Sequence, residues 1–217
     1  MAMLKKNKWK IIISILVTIL PAFVGLLLWD KLPDQIATHF DMNNQPNGWS
    51  GKAFAVFGIP AFLLLIQIIC ICCSMLDPKS KNISLKAFSF VIWIVPACSL
   101  IVMFSCYGYA LGYDVNIGSI AGIFLGILFI VLGFYLPRNK INYTFGVRIP
   151  WTLNDPENWD YTNRIAGYCF IIGGILTVVV TLLKSPVLMI TIIIAMVLIP
   201  VIFSYVFFIK HKDNDGK

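Results

Sequence analysis

The sequence predicts an all-α integral membrane protein, a six-transmembrane-helix bundle with both termini cytoplasmic. Three observations predict it. First, 59% of the residues are hydrophobic and only 12% are charged, whereas soluble domains sit near half apolar and a quarter charged. Second, apolar runs of the ~20 residues that cross a bilayer core as a helix recur along the chain. Third, the cations gather in alternate connections between those runs. The net charge of +7 does not point to direct nucleic-acid binding, because the lysines flank apolar runs instead of forming one basic face.

Hydropathy places the spans at about 11–29, 54–76, 87–111, 117–137, 166–183 and 187–209. The first run follows MAMLKKNKWK and has the flavour of a signal peptide. It is longer than a usual signal core, and LLLWDKLP follows it instead of a small-residue cleavage site, so it reads as an uncleaved span. One set of connections carries Lys5, Lys6, Lys8, Lys10, Lys79, Lys81, Lys86, Arg138, Lys140, Arg148, Arg164, Lys210, Lys212 and Lys217. The other carries Lys31, Lys52 and Lys184. Fourteen against three puts both termini and the loop 138–165 in the cytoplasm and the loop 30–53 outside. The organisation expected is a region 1–86 with two spans and the outer loop, then a region 87–217 with four spans and the inner loop.

The predicted spans hold no Asp, Glu, Lys, Arg or His, and Gln67 is their strongest polar group. Ion-coupled transporters keep ionisable groups at membrane depth, so a small-molecule transporter or exporter is the second reading, not the first. Pro21, Pro96 and Pro200 fall inside spans one, three and six, where a missing backbone donor kinks a helix. Gly118, Gly122 and Gly126 recur every four residues in span four, a stripe that lets backbones approach closely. It serves either an intramolecular contact or a homodimer face. All six cysteines lie in apolar runs, as small hydrophobes do. The pattern C-x-C-C at Cys70–Cys73 lacks the second motif or the histidines of a structural metal site. No metal or cofactor is expected.

The outer loop reads DKLPDQIATHFDMNNQPNGWSGK. Pro33 with Asp34 starts a turn or short helix, and IATHF is a short strand or extended segment. Asn43, Asn44, Pro46, Asn47 and Gly48 form a second turn cluster, with Asn47-Gly48 its strongest dipeptide. Trp49 then enters span two at headgroup height. His39, between Asp34 and Asp41, suggests a metal ligand or a pH sensor; a hydrogen-bonded structural role is the simpler account.

The inner loop, NYTFGVRIPWTLNDPENWDYTNR over 142–164, is the longest polar interruption and is rich in aromatics. Its first half, Asn142–Pro150, is β-prone and reads as extended. A helix then starts: Asp155 suits the N-cap, Pro156 the first helical position and Glu157 the first turn, so the helix runs straight into span five. Trp159 and Asn163 share a face, as do Tyr161 and Ile165. Arg148 and Arg164 are placed to stack on Trp151 or Trp159 or to meet lipid phosphate. Thr144, Thr152 and Thr162 have no histidine nearby, and no nucleophile elbow or phosphate loop is present, so no enzyme is expected.

Both loops resemble one family. The outer L-P-D-x-I-x-x-H-F, from Leu32 to Phe40, and the later Asn47-Gly48-Trp49-Ser50 resemble an N-terminal domain of unknown function. The inner run Asn142–Asn154, followed by Trp159, Arg164 and Gly167, resembles the C-terminal signature of the SdpI family, bacterial immunity proteins against the secreted SDP killing peptide. The chain departs from that pattern with Asn43-Asn44-Gln45 in place of a glycine turn, and with Thr162-Asn163-Arg164 where many relatives read Thr-His-Arg. The resemblance implies a plasma-membrane immunity protein that confers resistance to a secreted peptide. It also implies a receptor that draws a cognate DNA-binding autorepressor to the membrane. On that basis Pro33, His39, Phe40, Gly48 and Trp49 are the toxin-sensing candidates. Tyr143, Phe145, Gly146, Arg148, Pro150, Trp151, Thr152, Trp159 and Arg164 are the signature and partner-docking candidates.

Overall fold

The computed structural model describes residues 2–41 and 43–215, with side chains for 7–41 and 43–211. Lys5, Lys6, Lys212 and Lys217 of the charge count therefore lie outside the described side chains. Among the described residues six helical segments are long and apolar enough to cross a membrane: Asn7–Leu27, Phe54–Leu76, Leu85–Ala110, Ile117–Arg138, Pro156–Leu182 and Pro186–His211. Each falls on a predicted run, and the chain is a multi-pass, mainly helical membrane protein. The fifth starts ten residues before the apolar run, because its cap at Asp155 decides the start and hydropathy does not.

The chain divides into two compact units. Met1–Met75 with Phe88–Ala121 form the first, and Leu76–Ala87 with Gly122–Lys217 the second. In the first unit, α1 (Ala2–Leu27) leads into a two-stranded antiparallel hairpin, β1 (Gln35–Phe40) and β2 (Pro46–Gly51). A π-helical turn, Phe54–Gly58, opens α2 (Ile59–Leu76), and α3 (Leu85–Ala110) completes the unit. Its apolar centre gathers Leu32, Ile36, Ala55, Val56, Met103, Cys106 and Tyr107. The hairpin is thus seated by Ile36 on the helix ends.

Polar groups at membrane depth have no water to bond and must find partners within the protein. The first unit does this with a clasp. Gln67, 1% exposed, donates its amide to the Ser14 hydroxyl at 2.8 Å and accepts from the Thr18 hydroxyl. Ser99 Oγ donates to the Thr18 carbonyl at 2.8 Å, and the Tyr107 hydroxyl to the Pro21 carbonyl at 3.0 Å. Two carbonyls of α1 within one turn, those of Thr18 and Pro21, thus take side-chain donors from α3. Pro21 and Pro96 both lie inside continuous helices, as does Pro200 in the last helix.

The second unit packs by a different device. α4 (Ile117–Tyr135, in this unit from Gly122), a 3-10 turn (Leu136–Arg138), α5 (Pro150–Asn154), α6 (Pro156–Leu182) and α7 (Pro186–Asp215) follow in order. A Cβ at Gly126 would lie 2.7 Å from the Gly174 carbonyl oxygen, and one at Gly133 2.7 Å from that of Gly167. The reverse holds too: a Cβ at Gly174 would meet the Gly126 oxygen at 2.6 Å, and one at Gly167 the Gly133 oxygen at 2.9 Å. Gly122 faces Thr181. Gly122 and Gly126 therefore serve the intramolecular contact, between α4 and α6. Gly118 does not join them, since the nearest atom to a Cβ there is Asn116 Oδ1 at 3.8 Å. The expected stripe of three is a seam of Gly122, Gly126 and Gly133.

Candidate functional site

The hairpin is built around its tip. Asp41 Oδ1 accepts the backbone N–H of Asn43 at 2.9 Å and of Gln45 at 2.8 Å. Asp41 N–H donates to the Gln45 carbonyl at 2.8 Å. Asn44 takes the left-handed backbone, φ 61°, which short amide side chains tolerate. Of the predicted turn cluster, Asn43 and Asn44 form the turn, and its later members lie on the strand. Asn47-Gly48 is not the reversal but part of β2, because the Asp41 carboxylate closes the loop two residues earlier. Gly48 instead opposes His39 at a bulge, where a Cβ would sit 2.9 Å from the His39 Cβ. Asn44 also anchors the tip: its amide donates to the Val115 carbonyl at 3.0 Å and its oxygen accepts the Ile117 N–H at 2.8 Å. Only its tolerance of the left-handed turn was visible in the sequence.

The structure brings three of the five outer candidates together. His39 Nδ1 hydrogen-bonds Asn47 Oδ1, Gly48 lies opposite, and Phe40 sets its ring edge-on to Tyr109 at 5.0 Å. Trp49 is on β2 opposite Ala37, more than half exposed, and not on the helix that follows. Pro33 stands apart, exposed ahead of β1. Asp34 pairs with Lys52 at 3.2 Å, and the Lys52 ammonium also reaches the Trp29 carbonyl and lies 5.3 Å over its ring. Asp34 and Asp41 are thus engaged in separate tasks. Among the described residues no three His, Cys, Asp or Glu side chains gather as metal ligands would.

The inner loop is held by side-chain amides and carboxylates. Asn142, fully buried, accepts the N–H groups of Thr144 and Phe145 and donates to the carbonyls of Lys140 and Phe145. Asp77 accepts the Tyr143 N–H and the Thr144 hydroxyl, each at 2.8 Å, and the Lys79 N–H at 2.7 Å. Asn82 donates to the Ile141 carbonyl, and Asn139 accepts the Ser84 N–H. These ties fold 141–146 into successive bends, so the β-prone half is not a strand. No partner strand is present, and asparagine and aspartate side chains offer the backbone a local alternative. Gly146, at φ +131°, abuts the Trp159 ring; a Cβ there would lie 2.7 Å from it.

Trp159 is the centre of this fold. It is 0% exposed, and its indole N–H donates to the Asn139 carbonyl at 2.7 Å. Asn163, one turn on, accepts the Val147 N–H and donates to the Trp159 carbonyl, so the two share a working face as the spacing predicted. Thr152 accepts the Ile149 N–H and its single hydroxyl proton is shared between the Val147 and Ile149 carbonyls, which sets the one-turn α5 that periodicity did not show. Asp155 caps α6 through the N–H groups of Glu157 and Asn158, a device worth ~1 kcal/mol.

The signature residues sort by exposure. Phe145, Thr152 and Trp159 are buried, Trp151 is half-buried, and Tyr143, Arg148, Pro150 and Arg164 are exposed. The expected stacking of arginine on Trp151 or Trp159 does not occur. Arg148 hydrogen-bonds the Tyr143 carbonyl, while Trp151 packs on Phe208 and Tyr205 and donates to Ser204 Oγ at 2.9 Å. Lys79 takes the cation–π position, 5.2 Å over Tyr143. Ser204 donates in turn to Asn158, which also accepts from Thr162. An open cleft of about 500 Å³ lies against this cluster, lined by Pro150, Trp151, Asn154, Asp155, Phe208 and His211 among others.

The comparisons fall on these two regions. A domain of unknown function matches residues 16–64, which contain the hairpin. The SdpI/YfhL protein family matches residues 138–206, from the inner loop into α7. The Immunity protein SdpI of Bacillus subtilis (strain 168) is 27% identical over 220 residues, covering 98% of this chain and 99% of that protein. No solved structure matches the chain. Carrying both regions in order, the chain is similar to the SdpI/YfhL protein family over residues 138–206 and to that relative along nearly its whole length.

Proposed function

We propose that this chain is a plasma-membrane immunity protein that protects its cell from a secreted antimicrobial peptide, and that it does so by binding and not as an enzyme. The observation that carries the reading is the similarity to Immunity protein SdpI, which leaves almost no part of either chain unaligned. The cation distribution supports an orientation with both termini inside. In that orientation the hairpin meets the peptide, with Pro33, His39, Phe40, Gly48 and Trp49 as its contact region. The test is expression in a peptide-sensitive cell followed by challenge with the SDP killing peptide. Survival at concentrations that kill the control is expected; equal killing at normal membrane abundance overturns the reading.

The inner loop supports a finer division of labour. Phe145, Gly146, Thr152 and Trp159 clamp the start of α6. Tyr143, Arg148, Pro150, Trp151 and Arg164 offer an accessible edge for a cytoplasmic partner, which the family resemblance implies to be a DNA-binding autorepressor. A peptide that binds one arrangement of the helices better than another shifts their populations, and a partner reading the same arrangement is thereby coupled to it. Arg148→Ala is expected to abolish membrane recruitment of the repressor while resistance stays measurable. Loss of both at unchanged abundance refutes that division.

A further inference from the structure

The hairpin is covered at the centre of β1 and open at the end of β2. On β1, Ile36 is 0% and Ala37 4% exposed, so their backbone groups are enclosed. On β2 the exposure alternates, and Gly51, which has only backbone to show, is exposed. A Cβ added at Gly51 would meet nothing within 4 Å.

The register says which backbone groups face out along that open edge. Lys52 N–H bonds the Asp34 carbonyl at 2.8 Å, and Ile36 pairs with Ser50 two residues on. Paired residues of an antiparallel ladder alternate between exchanging hydrogen bonds and directing them away. Gln35–Gly51 and Ala37–Trp49 are the intervening pairs. The N–H and C=O of Trp49 and the N–H of Gly51 therefore point away from β1. Natural edges are blunted by lysine, proline, bulges or a covering element. Here Pro46 and the bulges guard only the half of β2 nearest the tip, and Gly48–Gly51 carries no charge.

The charge around the hairpin selects the occupant. The chain is basic overall, yet the connections at this end of the first unit carry Asp30, Asp34, Asp41 and Asp114 against Lys31 and Lys52. Lys52 is itself held by Asp34 and Trp29.

We propose that the open edge of β2 at Trp49 and Gly51 takes an extended segment of a cationic, apolar secreted peptide as a third strand. Main-chain hydrogen bonds hold the segment, and its apolar side chains cover the exposed Trp49 ring. Recognition by an added strand needs little side-chain specificity, since affinity comes from the ladder and selectivity from alternate side chains. The inference rests on the immunity reading, and the test separates the two.

Gly51→Pro removes the outward N–H without touching a bond of the hairpin ladder, and Gly51→Ala keeps it. Binding of synthetic SDP killing peptide to purified protein in nanodiscs is measured for wild type and both variants, alongside membrane abundance. Gly51→Ala is expected to match wild type and Gly51→Pro to bind at least fivefold more weakly. The second arm uses wild-type protein and peptides carrying single amide-to-ester changes. Weakening at every second position over a short stretch is expected. Equal binding by Gly51→Pro and Gly51→Ala, or ester effects with no alternation, overturns the added strand while leaving the immunity reading standing. No binding by wild type overturns the immunity reading and this occupant together.

Discussion

The two polar stretches of this chain satisfy their backbones by opposite means. The hairpin of the first unit pairs strand with strand, and side chains enter chiefly at its tip through Asp41 and Asn44. The loop of the second unit has no strand partner, and its backbone is satisfied by Asn142, Asp77, Asn139, Thr152 and Asn163. The helices show the contrast reversed. Side-chain hydrogen bonds clasp α1 to α2 and α3, whereas α4 meets α6 through glycines and backbone carbonyls. A backbone ladder tolerates many sequences. A loop held by side chains depends on each of them, and a glycine seam depends on nothing being added.

That difference can be broken by substitution. The largest effect is expected for Trp159→Ala, which empties a fully buried site and strands the Asn139 carbonyl; a loss of ~3–5 kcal/mol is typical of such a change. Thermal unfolding in detergent reads it, and an unchanged midpoint would remove Trp159 from the centre of the loop. Next is Asn142→Ala, which leaves the buried Phe145 N–H without an acceptor at ~1–3 kcal/mol and the half-buried Thr144 N–H at less. Its counterpart Asn47→Ala, on the hairpin, loses only the exposed bond to His39 and should barely move the midpoint. Comparable losses at the two sites would erase the contrast between side-chain and ladder support.

The seam gives a third comparison. Gly126→Leu forces a side chain against the Gly174 carbonyl and should cost ~1–3 kcal/mol or more, while at Gly118 a Cβ makes only an ordinary contact with Asn116 and Gly118→Leu should cost little. Equal effects would mean that Gly118 packs as Gly126 does. Among the buried contacts the smallest loss is expected for Gln67→Leu, because interhelical hydrogen bonds in membranes average ~0.6 kcal/mol. A loss several times larger would show that the clasp acts as one cooperative unit.

Much of this was legible in the chain. The six apolar runs gave the spans, since about 20 apolar residues can satisfy their backbone in a bilayer only as helix. The Asp155-Pro156-Glu157 cap was readable because a cap is a local event within four residues. The turn cluster that starts at Asn43-Asn44 was legible, but its strongest dipeptide is not where the chain reverses. Asn47-Gly48 is the stronger dipeptide, but Asp41 reaches two N–H groups and Asn44 is drawn to the backbone at 115–117, contacts about seventy residues apart in sequence. The extended reading of 142–150 held at Ile149, ahead of Pro150, but failed over 142–146: β propensity expresses itself only where a partner strand exists, and Asp77 and Asn142 claimed that backbone instead.

By itself the sequence determined where the chain is apolar, how its charges alternate and where helices begin, because these follow from composition and from contacts within a turn or two. Only the tertiary structure decided that Gly122 and Gly126 meet α6, that Trp159 is buried against Gly146, that Trp151 turns to α7 and away from the arginines, and that β1 is buried at Ile36 and Ala37 while Trp49 and Gly51 of β2 are exposed. The physical reason is shared. Each of those outcomes is a choice among partners distant in the chain, settled by which surfaces close against one another.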